Sequence, residues 1–138
     1  MVIASTRTGN DVGELSQVAP LLDQIGATIA GVTADGAYDG APTYEVLAAH
    51  GEGIRVINQP HLTAVLSDEA EHNPSQRDQH ILSIAAQGRL CWQKKTDYSE
   101  CALVETAMGR YKVIIGPCLR ARSFSGQQAE AAVGVGRP

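Results

Sequence analysis

The chain has 138 residues, which is one domain's worth of sequence, and its 43% hydrophobic content is enough to form a core. It has no run of 18 or more apolar residues and no signal peptide, so the sequence predicts neither a membrane span nor secretion. Three cysteines without a paired-ligand spacing indicate a reduced, cytoplasmic protein. The four histidines are scattered and are expected on the surface or in loops.

The net charge of −4 argues against a nucleic-acid binder, but the charge is unevenly distributed. Residues 1–88 hold 3 basic and 11 acidic side chains, whereas residues 89–138 hold 8 basic and 4 acidic ones. The basic C-terminal third permits local contact with phosphate, and an ordinary solvated surface explains the pattern equally well. The candidate phosphate contacts are Lys94, Lys95, Arg110, Lys112, Arg120 and Arg122.

The first half of the chain predicts alternating strands and helices. The β-prone run Val2–Thr6 is expected to be a strand, and apolar residues recur at helical spacing over Leu15–Ile25. Thr28–Ala34 is almost continuously apolar, as in a strand that is buried on both faces. A short helix with proline in its first turn is expected at Pro42–His50, and another short strand at Ile54–Ile57.

The second half predicts helices joined by loops. His61–Pro74 is polar and without a clear period, so it is expected to be a long loop. Ser75–Gln87 is predicted to be a helix capped by its first residue, and Gly88–Asp97 is predicted to be a connector. A helix is predicted over Tyr98–Lys112, and Gln127–Val133 adds a last helical turn or two.

The helix predicted at Tyr98–Lys112 has two distinct sides. One side is apolar and is expected to pack in the core, with Leu103, Val104, Ala107, Met108, Tyr111, Ile114 and Ile115. The other side is a narrow stripe of Tyr98, Cys101, Glu105, Gly109 and Lys112. A solvated helix face accounts for this stripe without any function, because charged helical residues are mostly exposed.

Asp35 follows the strand predicted at Thr28–Ala34 and precedes Gly36. A carboxylate at the carboxyl end of a central strand lies where open α/β sheets bind their ligands. Asp-Gly is also a strong turn pair, so Asp35 has an equally good explanation as the first residue of a turn.

The stripe resembles a signature of the DDE transposases of bacterial insertion sequences. That signature is tyrosine, two residues, arginine, three residues, glutamate, six residues and lysine. The chain matches it with Tyr98, Glu105 and Lys112, and has Cys101 at the arginine position. The words Leu-Val-Glu-Thr-Ala-Met-Gly-Arg-Tyr-Lys, Ile-Ile-Gly-Pro-Cys-Leu-Arg-Ala-Arg and, at positions 33 to 39, Thr-Ala-Asp-Gly-Ala-Tyr-Asp are also similar to this family. The resemblance extends from Val2 to Gln128.

The resemblance implies an α/β, partial RNase H-like fold with a mixed sheet, packed helices and missing early strands. Residues 1–125 would be the C-terminal portion of the catalytic domain, and residues 126–138 a short tail. Asp35 and Glu105 would be the second and third acids of a triad that binds two Mg²⁺ ions for phosphodiester cleavage and strand transfer. The implied DNA contacts are Lys112, Tyr98, Arg110, Lys94 and Lys95.

Two departures from the family pattern affect the expected activity. The first acid belongs on the opening strand, but Val2–Thr6 contains none, and Cys101 offers phosphate neither the charge nor the donors of arginine. We therefore expect a truncated, degenerate fragment that is inactive alone. Its partners would be transposon-end and target DNA, a second copy of the chain or a full-length transposase.

Two other functions remain open from the sequence. The basic C-terminal third is compatible with a nonenzymatic DNA-binding or transposase-interacting module. A metabolite-binding α/β domain is the third possibility, although the chain lacks the glycine-rich phosphate-binding spacings. If early strands are missing, an open sheet edge predicts marginal stability or self-association.

Overall fold

The computed structural model describes residues 4, 6, 8, 9, 11–116 and 118–135, which have the mixed α/β character expected from the sequence. The described strands are β1 (Gly31–Ala34) and β2 (Arg55–Asn58). The described α-helices are α1 (Val18–Leu22), α2 (Ala41–His50), α3 (Gln76–Gln87), α4 (Arg89–Thr96), α5 (Cys101–Ile115) and α6 (Phe124–Val135). Short 3₁₀ turns lie at Glu14–Gln17, Gly36–Tyr38 and Tyr98–Glu100.

The chain divides into two compact units, one formed by Ile29–Cys101 and the other by Met1–Thr28 with Ala102–Pro138. The greater part of the strand expected at Val2–Thr6 lies outside the described residues. The helix expected at Leu15–Ile25 is a 3₁₀ turn that continues into α1.

The unit Ile29–Cys101 begins with a β–α–β arrangement. β1 and β2 are parallel, with Gly31 opposite Arg55 and Ala34 opposite Asn58. Parallel strands need a crossover connection, and α2 provides it, with Pro42 in its first turn. Both strands and the connecting helix were predicted from the sequence with small shifts of their ends.

β1 is less buried than its sequence predicts. None of its four residues is buried, whereas Val56, Ile57 and Asn58 of β2 are. The expectation that the run ending at Ala34 is buried on both faces is therefore wrong. Among the described residues, β1 has β2 as its one neighbouring strand, so its apolar composition does not produce the burial of a central strand.

Side chains of α3 cover the outer edge of β2. The Gln76 amide accepts from the Val56 N–H at 2.9 Å and donates to the Ile54 carbonyl at 3.0 Å. His80 Nδ1 accepts from the Trp92 indole at 3.0 Å, so the neutral ring carries its proton on Nε2 and donates it to the Val56 carbonyl at 2.7 Å. The prediction that every histidine is a surface or loop residue is wrong for His80, which lies half-buried beside the core.

Two buried carboxylates fix the loop between β2 and α3. Asp78 completes a capping box with Ser75, the predicted N-cap, and accepts from the backbone N–H and hydroxyl of Ser67 at 2.8 Å each. Asp39 makes a two-point ion pair with Arg77 at 2.8 and 3.0 Å, and also accepts from the backbone N–H of His61. The loop has no regular secondary structure, as predicted, yet both of its ends are held.

The connector predicted at Gly88–Asp97 is wrong, because this segment forms α4. Gly88 ends α3 with a φ of 79°, a conformation that favours glycine, and Asp97 ends α4 in the left-handed region. The Trp92 side chain is 1% exposed and anchors α4 in the core. Arg55 donates to the carbonyl of Thr96 at 2.9 Å, and Arg89 donates to the carbonyl of Pro60 at 3.1 Å. The two arginines thus tie both ends of α4 to β2 and its continuation.

The unit that contains residues 102–138 includes most of α5 and all of α6. Tyr111 donates its hydroxyl to the carbonyl of Ala131 at 3.2 Å, which joins these two helices. Helical structure at Gln127–Val133 was predicted and is part of α6. α5 ends at Ile115, before Gly116, and Pro117 lies outside the described residues.

The apolar side of α5 is not the core face predicted for it. Leu103 is 66% exposed, Val104 60% and Met108 43%, and Ile114 is exposed as well. The predicted helix is present, but these four apolar side chains are exposed to solvent. No helix among the described residues combines the length and apolar character needed to cross a bilayer.

Candidate functional site

Asp35 lies at the carboxyl end of β1, and its local structure is set by the turn that it begins. Its Oδ1 accepts from the backbone N–H of Ala37 at 2.9 Å and caps the 3₁₀ turn Gly36–Tyr38. The residue is exposed, and its Oδ2 accepts no hydrogen bond from the described residues. Asp35 starts a turn, as one of the two sequence interpretations expects, and its Oδ2 lies at the carboxyl end of a parallel strand pair.

A side chain at the carboxyl end of β2 stabilises this turn by a hydrogen bond. Asn58 is fully buried, and its Nδ2 donates to the carbonyl of Tyr38 at 3.0 Å. Its Oδ1 is buried without a partner among the described residues. A Cβ atom at Gly36 would lie 3.2 Å from the carbonyl oxygen of Gln59, so the turn and the end of β2 approach closely. The position of Asp35 therefore depends on Gly36 and Asn58.

α4 extends the same end of the sheet. Gln93 Nε2 donates to Gln59 Oε1 at 2.9 Å, and one helical turn earlier Arg89 donates to the carbonyl of Pro60. Gln59 therefore contacts the Asp35 turn on one side and α4 on the other. This arrangement brings the half-buried Arg89 guanidinium to the carboxyl end of the sheet.

Tyr98 joins this group from the 3₁₀ turn after α4. Its ring packs on Trp92 with the centroids 5.3 Å apart and the planes inclined by 42°. Partial burial raises the pKa of Tyr98, the nearby Cys101 thiol and Asp35 carboxylate raise it further, and Arg89 opposes them. Through Trp92, Gln93 and Gln59, the structure thus connects Tyr98 with the Asp35 turn, and both residues were predicted from the sequence.

The remaining predicted residues are exposed on helices. Lys94 and Lys95 lie in the last turn of α4. Glu105, Arg110 and Lys112 lie on α5, where Glu105 and Lys112 are separated by two helical turns. These three belong to the unit that contains residues 102–138, and each is accessible to solvent.

The described residues do not assemble a complete metal centre. Among them, no group of three or more histidine, cysteine, aspartate and glutamate side chains is arranged to hold a metal ion. Asp35 is able to supply one ligand to Mg²⁺ through its Oδ2. This ion keeps several waters and commonly binds one or two carboxylates. The three-carboxylate set implied by the resemblance is not formed by these residues.

Arg89, Asn58 and Gln59 are site residues that the sequence analysis missed. Arg89 was assigned to a connector, and nothing in its local sequence indicates a neighbour 29 residues away. Asn58 directly follows the strand predicted at Ile54–Ile57, so its place at the carboxyl end of a strand was an available signal.

A cleft of about 360 Å³ lies elsewhere on the same unit. Its lining includes Tyr44, Glu52, Ile54 and Gln76, at the amino end of β2. Because it contains neither Asp35 nor Tyr98, it does not support a metabolite crevice at Asp35.

No family model matches the chain, and no solved structure matches it.

Proposed function

We propose that this chain is the C-terminal part of the catalytic domain of a DDE transposase from an insertion sequence, with a partial RNase H-like fold. The observation that carries the proposal is the series of contacts that runs from the Asp35 turn through Gln59 to α4, on which Tyr98 packs, at the carboxyl end of a parallel β–α–β unit. The proposed second acid of the triad and the first residue of the signature are far apart in sequence, and a shared catalytic face requires them to be neighbours.

The proposed site residues have separate tasks. Asp35 and Glu105 would hold Mg²⁺, which supplies an activated nucleophile and neutralises charge on the phosphoryl group. Lys112, Arg110, Lys94 and Lys95 are exposed cations that are able to contact DNA phosphates, and Tyr98 flanks the same face as Asp35. In this proposal, Asp35 and Glu105 would be two of the three acids of the triad.

A calorimetric titration with Mg²⁺ or Mn²⁺ tests the proposed metal ligands. We expect weak binding by the wild-type chain that is lost in both Asp35→Asn and Glu105→Gln. The matched controls Asp68→Asn and Glu100→Gln change exposed carboxylates of the same types and should bind as the wild type does. If Asp35→Asn and Glu105→Gln leave metal binding unchanged, Asp35 and Glu105 do not share a metal site.

A nicking assay on supercoiled DNA tests the expected inactivity of this chain alone. With two of three carboxylates, the chain should show no metal-dependent nicking above background. Robust turnover that Glu105→Gln abolishes would show that these two acids suffice, and the inactive interpretation would then be wrong.

A nonenzymatic DNA-binding or transposase-interacting module is the second candidate function. The exposed apolar side chains of Leu103, Val104 and Met108 on the helix that carries Arg110 and Lys112 favour it. DNA binding through phosphate contacts should weaken steeply as salt rises. Binding that is indifferent to salt would contradict this candidate.

A further inference from the structure

We propose that Arg89 and Tyr98 form a phosphodiester-binding pair beside Asp35, in which Arg89 supplies the guanidinium that the signature places at position 101. This inference rests on the proposed function, because it assigns the DNA-backbone contact of that same site. The ligand is a single phosphate group of a DNA strand. Residue 89 was not among the residues expected at the site.

The position of Arg89 is fixed by two adjacent contacts of α4 with the end of β2. Arg89 Nη1 donates to the carbonyl of Pro60 at 3.1 Å, and Gln93 Nε2 donates to Gln59 Oε1 at 2.9 Å. Gln59 also lies against Gly36, the residue after Asp35. The contacts run continuously from the Asp35 turn to the first turn of α4, so Arg89 is held at the same end of the sheet as Asp35.

The charge of Arg89 remains available for a ligand. Its single hydrogen bond among the described residues goes to a neutral carbonyl, and no carboxylate of the described part of the chain forms a salt bridge with it. Arg77 provides the contrast, since Asp39 neutralises it through two hydrogen bonds. A half-buried guanidinium with free N–H donors binds phosphate well, because charge-assisted bonds are stronger in a partly dehydrated site.

Tyr98, the second member of the pair, is also the first residue of the signature. Its ring packs on Trp92, which follows Arg89 by three residues on α4, so Arg89 and Tyr98 lie on neighbouring parts of the same surface. Arg89, Asp35 and Cys101, the position where the signature has arginine, all influence the pKa of its phenol. Arg89 therefore approaches the same tyrosine that an arginine at position 101 would approach. Tyr98 is also seated on the buried Trp92, so its ring is held in place without a ligand.

Arg55 provides a matched control for Arg89. Each arginine donates to one backbone carbonyl. Arg89 links the first residue of α4 to Pro60, and Arg55 links β2 to Thr96, the last residue of α4. The Arg55 contact lies at the amino end of β2, away from Asp35. Arg55→Gln removes the same charge and the same kind of structural bond as Arg89→Gln.

The experiment measures binding of a fluorescein-labelled 20-base-pair duplex by anisotropy over a range of salt concentrations, with EDTA and without divalent metal. Arg89→Gln should weaken binding about 10-fold and reduce the slope of log K against log salt by about 0.9, the contribution of one phosphate contact. Arg55→Gln should leave the slope unchanged. Arg89→Lys should retain the slope, because it keeps the charge, and circular dichroism checks that each variant is folded.

Rescue tests the assignment to position 101. Adding Cys101→Arg to the Arg89→Gln chain should restore most of the lost affinity and slope. The proposal is overturned if Arg89→Gln behaves like Arg55→Gln, if the wild type does not bind the duplex, or if Cys101→Arg restores nothing. Because no metal is present, these outcomes are independent of the calorimetric test of Asp35 and Glu105, which decides the proposed function.

Discussion

The unit Ile29–Cys101 and the helix α5 both contain many apolar residues, but these residues differ in how far they are buried. In the first, Leu47, Ile54, Val56 and Ile57 are buried, and Trp92 is 1% exposed. In α5, Leu103, Val104, Met108 and Ile114 are exposed, and Leu103 is 66% exposed. The periodic pattern that predicted a core-facing helix is present in α5, but this side of the helix is exposed instead of buried in a core.

The contrast shows what an amphipathic pattern specifies and what it leaves open. A period of 3.6 residues determines that apolar side chains share one side of a helix. Burial needs a second surface of matching shape, and in the unit Ile29–Cys101 that surface is β2 with α3 and α4. The exposed side of α5 is therefore a candidate surface for a second copy or another protein.

The largest expected difference between the two regions is in the cost of side-chain truncation. Trp92→Ala should reduce the free energy of unfolding by about 3–5 kcal/mol, because it leaves a cavity and removes the ring contacts with His80 and Tyr98. Leu103→Ala, a truncation on the exposed side of α5, should change it by less than about 0.5 kcal/mol. Urea unfolding followed by circular dichroism measures both. Equal effects would mean that α5 is packed in solution.

Asp78→Asn should have the next largest effect. The buried Asp78 carboxylate accepts four hydrogen bonds from Ser67 and Ser75, and the substitution weakens them. We expect the free energy of unfolding to fall by about 2 kcal/mol. Asp68→Asn, at an exposed position of the same loop, is the control and should be neutral. A wild-type urea midpoint in the Asp78→Asn chain would contradict the structural role of this carboxylate.

The same carboxylate makes stability depend on pH. Hydrogen bonds from Ser75 and Ser67 hold the pKa of Asp78 below its ordinary value, and hydrogen bonds from Arg77 and His61 outweigh the effect of burial and lower the pKa of Asp39. The unfolded groups titrate near pH 4, so their contribution is complete above that pH and is lost as the pH falls below it. Urea midpoints at pH 7 and pH 3 should differ less in Asp78→Asn than in the wild type.

The last prediction concerns association rather than stability, and it tests the exposed side of α5. Leu103→Ser with Met108→Ser should leave the free energy of unfolding within about 1 kcal/mol of the wild type. If this surface mediates the predicted self-association, sedimentation velocity should show a smaller fraction of oligomer in the double variant. A monomeric, cooperatively unfolding wild type would refute both self-association and the predicted marginal stability.

The local sequence was sufficient for elements that carry their own signals. The parallel strands, the helix that connects them and the N-cap at Ser75 follow from apolar runs, Pro42 and the Ser75–Asp78 spacing. α4 was not predicted, since its eight residues lack a clear apolar period and depend on one anchor, Trp92, whose neighbours His80 and Tyr98 come from other segments.

The sequence by itself determined that Asp35 follows a strand and begins a turn, and that Glu105 and Lys112 lie on one helix. Tertiary structure decided that Tyr98 lies near Asp35, that Arg89 joins them, and that β1 and α5 are less buried than their composition predicts. The reason is physical: turns and helices form from neighbours in the chain, whereas burial and the grouping of charges depend on which distant surfaces meet.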